Sequence, residues 1–314
     1  MTGPVRIGTR ASRLARWQTA HVAELLRTAG IESEPVPIRT TGDLVTDVPL
    51  PRIGDRALFR RQLDEALLDG RIDLAVHSLK DLPTTLPEGV ALVAVPGRAD
   101  PRDALVGRSS LALRDLPAGS IVATSSLRRR AQLLHARPDL TVPDLRGNVE
   151  TRIGRLDAMP SWAAIVLAAA GLERLDLTAR ITERLPLDLM LPAPGQGALA
   201  VTARGEDSAL RAALARALDR PDIARAVAAE RAVLATLEGG CHAPIAAIAE
   251  EAGGTLHLRA RVLSLDGRQL IEETAVVDPL DDAAAAGREV AGRLMARGAG
   301  ELVEASRAPF GMPS

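Results

Sequence analysis

The sequence is short of the residues that cross-link a chain or stack on nucleic-acid bases. Its 314 residues include one cysteine, Cys241, so no disulfide can form within the chain. It has no tyrosine, two phenylalanines and two tryptophans, and its formal net charge is -1. Nucleic-acid-binding surfaces combine a basic domain with aromatic side chains that stack on bases. We therefore expect no nucleic-acid partner, and an RNA-binding role for the many arginines is disfavoured.

Long apolar runs and closely spaced cysteine pairs are also missing. No stretch approaches the roughly 18 apolar residues of a membrane span. The first residues, MTGPVRIGTRASRLARW, contain no apolar leader. No CxxC pattern typical of a zinc site occurs. We therefore expect a soluble cytoplasmic protein with no membrane partner and no metal.

Short apolar runs alternate with helical periods through the first two thirds of the chain. The first predicted elements are a strand at residues 5–8, a helix from about Ser12 to Gly30, a strand at 36–41, a helix at 58–68 and a strand at 72–78. One face of the first helix carries Leu14, Trp17, His21 and Leu25. After a segment rich in Pro, Gly and Asp at 96–103 the alternation restarts. This βαβ pattern predicts two α/β lobes.

The chain changes character from residue 245 onward. Three runs, IAAIAEE, TLHLRARVLSL and LIEETAVV, predict an antiparallel meander with a hairpin turn at Asp266 and Gly267. A final helix is predicted over residues 281–305. Together these elements predict a small α+β domain at the carboxyl end.

Residues 124–130, TSSLRRR, combine a strand end, two serines and the start of a helix. Backbone N–H groups and the positive helix end meet the Ser126 hydroxyl there, which favours anion binding. Arg128 and Arg129 lie in the first helical turn, where their charges oppose the helix dipole unless something negative compensates them. In the alternative interpretation the serines only cap the helix and the arginines are solvated. For this motif alone, both interpretations stand.

Arginines follow predicted strands at several other places in the chain. The further candidates are Arg10, Ser12 and Arg13 after the first strand, Arg146 and Arg152 in LRGNVETR, and Arg174 in AGLERL. The carboxyl ends of strands in open α/β sheets are where ligands bind. Guanidinium forks bind carboxylates or phosphates, and neither GxxxxGK[ST] nor GxGxxG occurs to indicate a nucleotide. The pattern favours a substrate with several carboxylates.

Two residues stand out because their types are so rare here. Lys80 is the one lysine beside 38 arginines, and it precedes Asp81 just beyond a predicted strand. Such a pair is usually an ordinary surface pair, but a shielded Asp81 would be able to hold a proton or stabilise a cation. Cys241 follows two glycines. It is either a small buried hydrophobe or a loop thiol that acts as a nucleophile or a covalent anchor.

Several segments together resemble the porphobilinogen deaminase (hydroxymethylbilane synthase) family along essentially the whole chain. They are GTRASRLARWQ, TTGDLV, LFRRQLDEALLDGRIDLAVHSLKDLP, DPRDALV, TSSLRRRAQL, PDLRGNVETRIGRL, AAGLERL, LPAPGQGALA and AAERAVLATLEGGCHAPI. They occur in the family's order and spacing. We therefore identify the chain as similar to this family.

The resemblance implies roles for individual residues. Cys241 would form a thioether to a dipyrromethane cofactor assembled from the substrate, porphobilinogen, and Asp81 matches the family's catalytic aspartate. The other residues implied in cofactor binding are Lys80, Arg10, Ser12, Ser126, Arg128, Arg129, Arg146, Arg152 and, in the segment resembling the mobile loop, Asp43. Those implied in substrate binding are Phe59, Arg10, Arg146, Arg152 and Arg174.

The same resemblance implies a fold and an activity. The expected fold has two α/β lobes similar to those of periplasmic solute-binding proteins, with a small α+β domain. The expected domains are residues 1–97 with 196–217, residues 98–195, and residues 218–314. The implied enzyme is a monomer that joins four porphobilinogen molecules into hydroxymethylbilane and releases ammonia. The alternative is a non-enzymatic two-lobed binding protein for an anionic metabolite, which gives no role to Cys241 or Asp81.

Overall fold

The chain divides into two compact units. The computed structural model describes residues 3–38, 55–237 and 243–307, with residues 55–60 described by their backbone alone. The units are Met1–Arg98 with Ala198–Ala224, and Ala99–Gly197 with Arg225–Ser314. The division into three domains stays a prediction.

The first unit is built on a five-stranded mixed sheet. In sheet order its strands are β2 (Ser33–Pro37), β1 (Val5–Thr9), β3 (Leu74–Ser78), β9 (Leu199–Arg204) and β4 (Val90–Ala94). Strands β1, β2 and β3 are parallel to one another, and β9 is antiparallel to both β3 and β4. Its helices are α1 (Arg13–Thr28), α2 (Asp55–Leu68) and α6 (Ser208–Leu218). Chain order and pairing thus give the predicted βαβ units.

The first helix is confirmed, but its buried face is not the one that the apolar spacing indicated. Trp17 and His21 are exposed and stack on each other, with ring centroids 5.1 Å apart. The side chains that are buried instead are Gln18, Thr19, Val22 and Leu26. Gln18 is buried because its amide donates to the Ser78 hydroxyl at 2.7 Å. Because Gln18 has a hydrogen-bond partner it can be buried, and the buried face of α1 is displaced by one residue from the predicted face.

Two strands of this sheet differ from the prediction. Strand β2 runs over Ser33–Pro37 rather than beginning at residue 36, since its register against β1 starts at Ser33. Residues 39–41 of the predicted strand lie outside the described residues. Strand β4 has no counterpart in the prediction. It pairs with β9, which comes from a distant part of the chain.

The second unit begins with a four-stranded sheet. In sheet order its strands are β6 (Ile121–Ala123), β7 (Trp162–Ala168), β5 (Asp103–Gly107) and β8 (Glu183–Arg184). Strands β6 and β7 are parallel, and β5 is antiparallel to both β7 and β8. Its helices are α3 (Leu127–Ala136), α4 (Val149–Ala158) and α5 (Ala169–Glu173). Each helix follows a strand or a strand-like segment, as predicted.

The rest of the second unit is an antiparallel sheet covered by helices. The strands are β10 (Ile245–Ala252), β11 (Thr255–Leu263) and β12 (Leu270–Val277), and the helices are α7 (Pro221–Thr236), α8 (Ala283–Ala296) and α9 (Ala299–Arg307). The meander is confirmed. The single final helix is wrong, because Gly298 takes a positive φ of 95° and separates α8 from α9. The predicted fold class, two α/β lobes with a small α+β part, is confirmed.

The antiparallel sheet packs against the α/β part of the same unit. Leu191 lies in one apolar cluster with Ala246 and Ile248. At the β11–β12 turn, the Gly267 carbonyl lies 2.7 Å from Nδ1 of His135, near the end of α3. A Cβ on Gly267 would lie 2.4 Å from a backbone nitrogen of α3, so only glycine allows this approach.

Candidate active site

In the first unit, four candidate residues leave the sheet at one edge. Because β1 and β3 are neighbouring parallel strands, their carboxyl ends lie side by side. Arg10 and Ser12 follow β1, and Lys80 and Asp81 lie in a 3-10 turn directly after β3. All four are partly exposed. The structure therefore brings them to the same edge, as the sequence predicted.

Hydrogen bonds fix this edge of the first unit. The Ser12 hydroxyl accepts the Ala15 N–H at 3.3 Å and so caps α1. The contact from Gln18 to Ser78 ties the first turns of α1 to the end of β3. The segments that carry Arg10 and Asp81 are thereby anchored to each other.

In the second unit, the remaining arginines also lie near one edge. Strands β6 and β7 are parallel, and residue Thr141 pairs in parallel on the other side of β6. Helix α3 follows β6, Arg146 follows the Thr141 segment, and Arg174 ends the short helix that follows β7. These three loops therefore leave the sheet on the same side.

The serines at the start of α3 do not cap it. Ser126 occupies the N-cap position, but its side chain makes no capping hydrogen bond within the described part of the chain. Its N–H is bound by the Thr124 hydroxyl at 3.3 Å. The Ser125 hydroxyl bonds to Leu145 instead. The alternative of serines that serve only as helix caps is therefore wrong.

Arg128 and Arg129 are buried and share one carboxylate. They are 4% and 5% exposed, and Asp103, at the start of β5, is fully buried. Arg128 Nη1 lies 2.7 Å from Asp103 Oδ2, and Arg129 Nη2 lies 2.7 Å from Oδ1. Burial would raise the pKa of Asp103, but the two guanidinium charges hold it well below its usual range. The interpretation of these arginines as solvated is wrong.

Asp103 is the site residue that the sequence reasoning missed. The signal was the placement of two cations in the first turn of a helix, which demands a compensating negative charge. The sequence alone assigns that charge to a ligand, whereas the protein itself supplies part of it through Asp103. Two guanidiniums against one carboxylate still leave one positive charge in excess. Arg128 hydrogen-bonds through Nη1 alone among the described residues, to Asp103 and to the Leu191 carbonyl.

The other three arginines differ in exposure. Arg146 is exposed and Arg152 is half-buried. Arg174 is 8% exposed, and its Nη2 donates to the Gly197 carbonyl at 2.6 Å. Burial lowers the pKa of Arg174 to about 10, so it stays protonated at neutral pH. Arg146 is thus the most accessible of the candidate arginines in this unit.

Some predicted residues lie outside what the structure describes. Asp43 and Cys241 fall in the undescribed segments, and Phe59 is described only as backbone within α2. Their roles stay predictions. In residues 3–38, 55–237 and 243–307 no group of three His, Cys, Asp or Glu side chains is arranged to hold a metal. No helix among these residues is long and apolar enough to cross a membrane.

A pocket of about 600 Å³ lies in the second unit, and its lining includes the three residues before Asp103. Four of its charged side chains form two ion pairs: Arg102 Nη2 lies 2.7 Å from Asp100, and Arg259 Nη1 lies 2.5 Å from Asp188. None of the candidate residues that the structure describes lines it.

Comparison with known proteins gives matches along nearly the whole chain. Residues 5–212 match the family model "Porphobilinogen deaminase, dipyromethane cofactor binding domain", and residues 224–296 match "Porphobilinogen deaminase, C-terminal domain". The porphobilinogen deaminase of Moorella thermoacetica is 48% identical over 309 residues, 98% of each chain. That of Syntrophotalea carbinolica is 49% identical over 304 residues, which is 96% of this chain and 95% of the relative.

Solved structures give a weaker similarity. A nutrient binding protein from Burkholderia cenocepacia bound to methionine aligns with a TM-score of 0.43 and 14% identity, over 70% of this chain and 93% of that one. The fold class therefore rests on the sheets described above. The family rests on the sequence matches: the chain belongs to the porphobilinogen deaminase family.

Proposed function

We propose that the protein is a hydroxymethylbilane synthase. It deaminates four porphobilinogen molecules, with loss of one ammonia from each, and joins them head to tail on a covalent dipyrromethane. Addition of water then cuts the new chain from the dipyrromethane and releases it as hydroxymethylbilane for tetrapyrrole (haem) synthesis. The observation that carries the proposal is the end-to-end match to porphobilinogen deaminases, 48% identical over 98% of the chain. That match favours the enzyme over the alternative of a non-enzymatic binding protein.

The carboxyl edge of the second unit fits a dipyrromethane. Each pyrrole of such a group bears an acetate and a propionate, so the group needs several cationic or hydroxyl donors. The edge offers the exposed Arg146, the half-buried Arg152, the Ser126 hydroxyl and the one excess charge of the buried Arg128–Arg129–Asp103 cluster. When bound, the dipyrromethane supplies the free pyrrole carbon to which the first substrate is joined, and Cys241 would hold it through sulfur.

The edge of the first unit supplies the group that handles protons. Asp81 lies in a turn fixed to the end of β3, beside Lys80 and at the same edge as Arg10 and Ser12. In our proposal its carboxylate accepts a hydrogen bond from the pyrrole N–H and stabilises the positive charge left as ammonia departs. Lys80, Arg10 and Ser12 bind carboxylates. Their donors hold the substrate so that the charge develops next to Asp81.

The number of arginines follows from the chemistry of the product. Every pyrrole that joins the chain brings two more carboxylates. A protein with a net charge of -1 has to concentrate its cations where that charge accumulates. We further propose that Arg174, Phe59 and Asp43 serve the substrate or the cofactor, that the protein is a cytoplasmic monomer, and that the three predicted domains are its structural units.

The decisive experiment compares intact masses of the purified protein and a Cys241→Ser variant. Because the chain has one thiol, this substitution leaves no other cysteine to react. We expect the mass of two linked pyrroles on the wild type, before or after incubation with porphobilinogen, and none on the variant. Ammonia should be released by the wild type. An unchanged wild-type mass with no ammonia released would overturn the proposal.

A second arm tests the role of Asp81. Asp81→Asn keeps the size of the side chain but removes its charge. We expect the variant to fold and yet to lose nearly all ammonia release. Asp69→Asn, at an exposed position in the same unit, is the control and should turn over normally. Near-normal turnover by Asp81→Asn would remove the assigned role.

A further inference from the structure

The loop that carries Arg146 is held by hydrogen bonds at both of its ends. The segment from Thr141 to Leu145 runs parallel beside β6. Three backbone hydrogen bonds join them. The Thr141 N–H donates to the Ser120 carbonyl at 3.1 Å, and the N–H groups of Val122 and Thr124 donate to the carbonyls of Thr141 and Pro143, both at 3.0 Å. The backbone of Leu145 cannot continue this pairing, since the other chain segment turns away after Thr124 to begin α3. Leu145 would then have two buried backbone groups to satisfy.

The Ser125 side chain completes the ladder in place of the backbone. Its Oγ accepts the Leu145 N–H at 2.9 Å and donates to the Leu145 carbonyl at 2.5 Å. Leu145 is 1% exposed and packs in the core with Ala123 and Ile153. Buried backbone groups without partners lower the stability of the fold. The Ser125 hydroxyl therefore stabilises this end of the segment by hydrogen-bonding both backbone groups of Leu145.

The loop that follows Leu145 is also fixed at its far end. Gly147 has a φ of 114°, and a Cβ there would lie 2.8 Å from Thr151 Cγ2. Asn148 caps α4 by accepting the Thr151 N–H at 2.8 Å. Arg146 therefore lies in a short loop. The Ser125 hydroxyl holds one end of this loop, and the Asn148 cap of α4 holds the other. Ser126, the residue after Ser125, is the N-cap residue of α3.

We propose that Ser125 is a positioning residue for substrate binding. Its two hydrogen bonds to Leu145 set the place from which Arg146 reaches a substrate carboxylate, and they link that loop to the start of α3. The inference rests on the proposed function, in which Arg146 binds carboxylates. Ser125 itself does not touch the substrate. Loss of its hydroxyl should therefore weaken binding, which raises KM, and leave the chemical step near normal.

The test uses the cofactor-loaded enzyme and three variants. Ser125→Ala removes the hydroxyl, and Ser125→Thr retains it. Ser120→Ala is the matched control, because Ser120 lies at the opposite end of β6 and its hydroxyl also bonds to a backbone carbonyl, that of Pro117, at 2.7 Å. Hydrogen exchange over residues 140–150 reports the loop without substrate, and steady-state kinetics report KM and kcat.

We expect two changes in Ser125→Ala alone. The amides of residues 145–148 should exchange faster, and KM for porphobilinogen should rise about fivefold to tenfold, an effect of the size that buried hydrogen bonds contribute, with kcat within about twofold. Ser125→Thr should restore both. Unchanged exchange, unchanged KM, or equal effects in Ser120→Ala would each overturn the proposal. Should Ser125→Ala fold poorly, Ser125→Cys, which keeps the shape with a weak donor, should give the same pattern.

The failure of this inference is distinguishable from failure of the proposed function. Wild-type protein that releases no ammonia from porphobilinogen overturns the function and, with it, the role of Ser125. An active wild type with an unchanged KM in Ser125→Ala overturns the role of Ser125 alone.

Discussion

Each unit has an aspartate that bridges two arginines, but the two bridges lie at opposite edges of their sheets. In the first unit Asp73 precedes β3 and binds Arg6 and Arg204, at 2.8 Å and 3.0 Å. This is the amino edge of the parallel strands. In the second unit Asp103 pairs with the last residue of β7, so its cluster lies at the carboxyl edge, where the candidate residues are.

The two bridges also differ in burial. The Asp73 side chain is 16% exposed, and Arg6 is 37% exposed. Asp103 is fully buried with both of its arginines. An accessible bridge can exchange its partners for water, whereas a buried one cannot. The first therefore joins strands at the edge remote from the candidate site, and the second fixes the start of α3 next to it.

The largest expected effect in this comparison follows from Asp103→Asn. The substitution leaves two guanidiniums buried with no counter-charge, which should lower the free energy of unfolding by about 3–5 kcal/mol. Denaturant unfolding of the two proteins at neutral pH measures the difference. If Asp103→Asn lowered the free energy of unfolding no more than Asp73→Asn does, burial would not be what distinguishes the two bridges.

A smaller and pH-dependent loss is expected for Asp73→Asn. Burial alone would raise the pKa of Asp73. Hydrogen bonds from Arg6 and Arg204 outweigh this effect, and the net result is a pKa lowered from 3.8 to about 2. A carboxyl group whose pKa is lowered by folding stabilises the protein at pH values above its pKa in the unfolded chain. That contribution disappears as the pH falls through its pKa in the folded protein. We expect a loss of about 1–2 kcal/mol at neutral pH, after allowance for partial exposure.

Unfolding midpoints at several pH values check the sign of this effect. The gap between wild type and Asp73→Asn should be constant down to about pH 5 and narrow toward pH 3. The gap for Asp103→Asn should persist over the same range, since the pKa of Asp103 is held lower still. A gap for Asp73 that widens with acid would show that the linkage has the opposite sign.

The smallest expected effect is that of an exposed pair. Glu24 and Arg27 lie three residues apart on α1 and are joined at 2.6 Å, but both side chains are more than half exposed. Solvent screens such a pair and ordering its side chains costs entropy. Glu24→Gln should leave the unfolding midpoint unchanged within error in thermal melts. A clear drop in the unfolding midpoint would mean that burial does not explain the different contributions of Asp103, Asp73 and Glu24 to stability.

The sequence predicted the parts of the fold that depend on local patterns. Strand β1, helix α1 with its Ser12 cap and the turn at Gly267 follow from apolar spacing, a capping residue and a turn dipeptide. The residues at the strand ends were found in the same way. Because parallel strands end at one edge of a sheet, the sequence predicts that Arg10 and Asp81 lie at the same edge.

The parts that were missed depend on contacts between distant residues. Asp103 lies 25 positions before Arg128, and no local motif joins them. Strand β4 is recognised only through its pairing with β9. The buried face of α1 depends on a partner for Gln18 that lies 60 residues away. The Ser125 bond to Leu145 is of the same kind, since no local motif links this serine to a residue 20 positions away.

The two hairpin turns of the carboxyl-terminal sheet have different value for protein engineering. A Cβ on Gly253 or Gly254 would meet nothing within 4 Å, whereas one on Gly267 would strike the backbone of α3. An inserted tag, a fluorescent label or new chain termini would therefore be accommodated between β10 and β11. The same alteration between β11 and β12 would pull that turn away from α3.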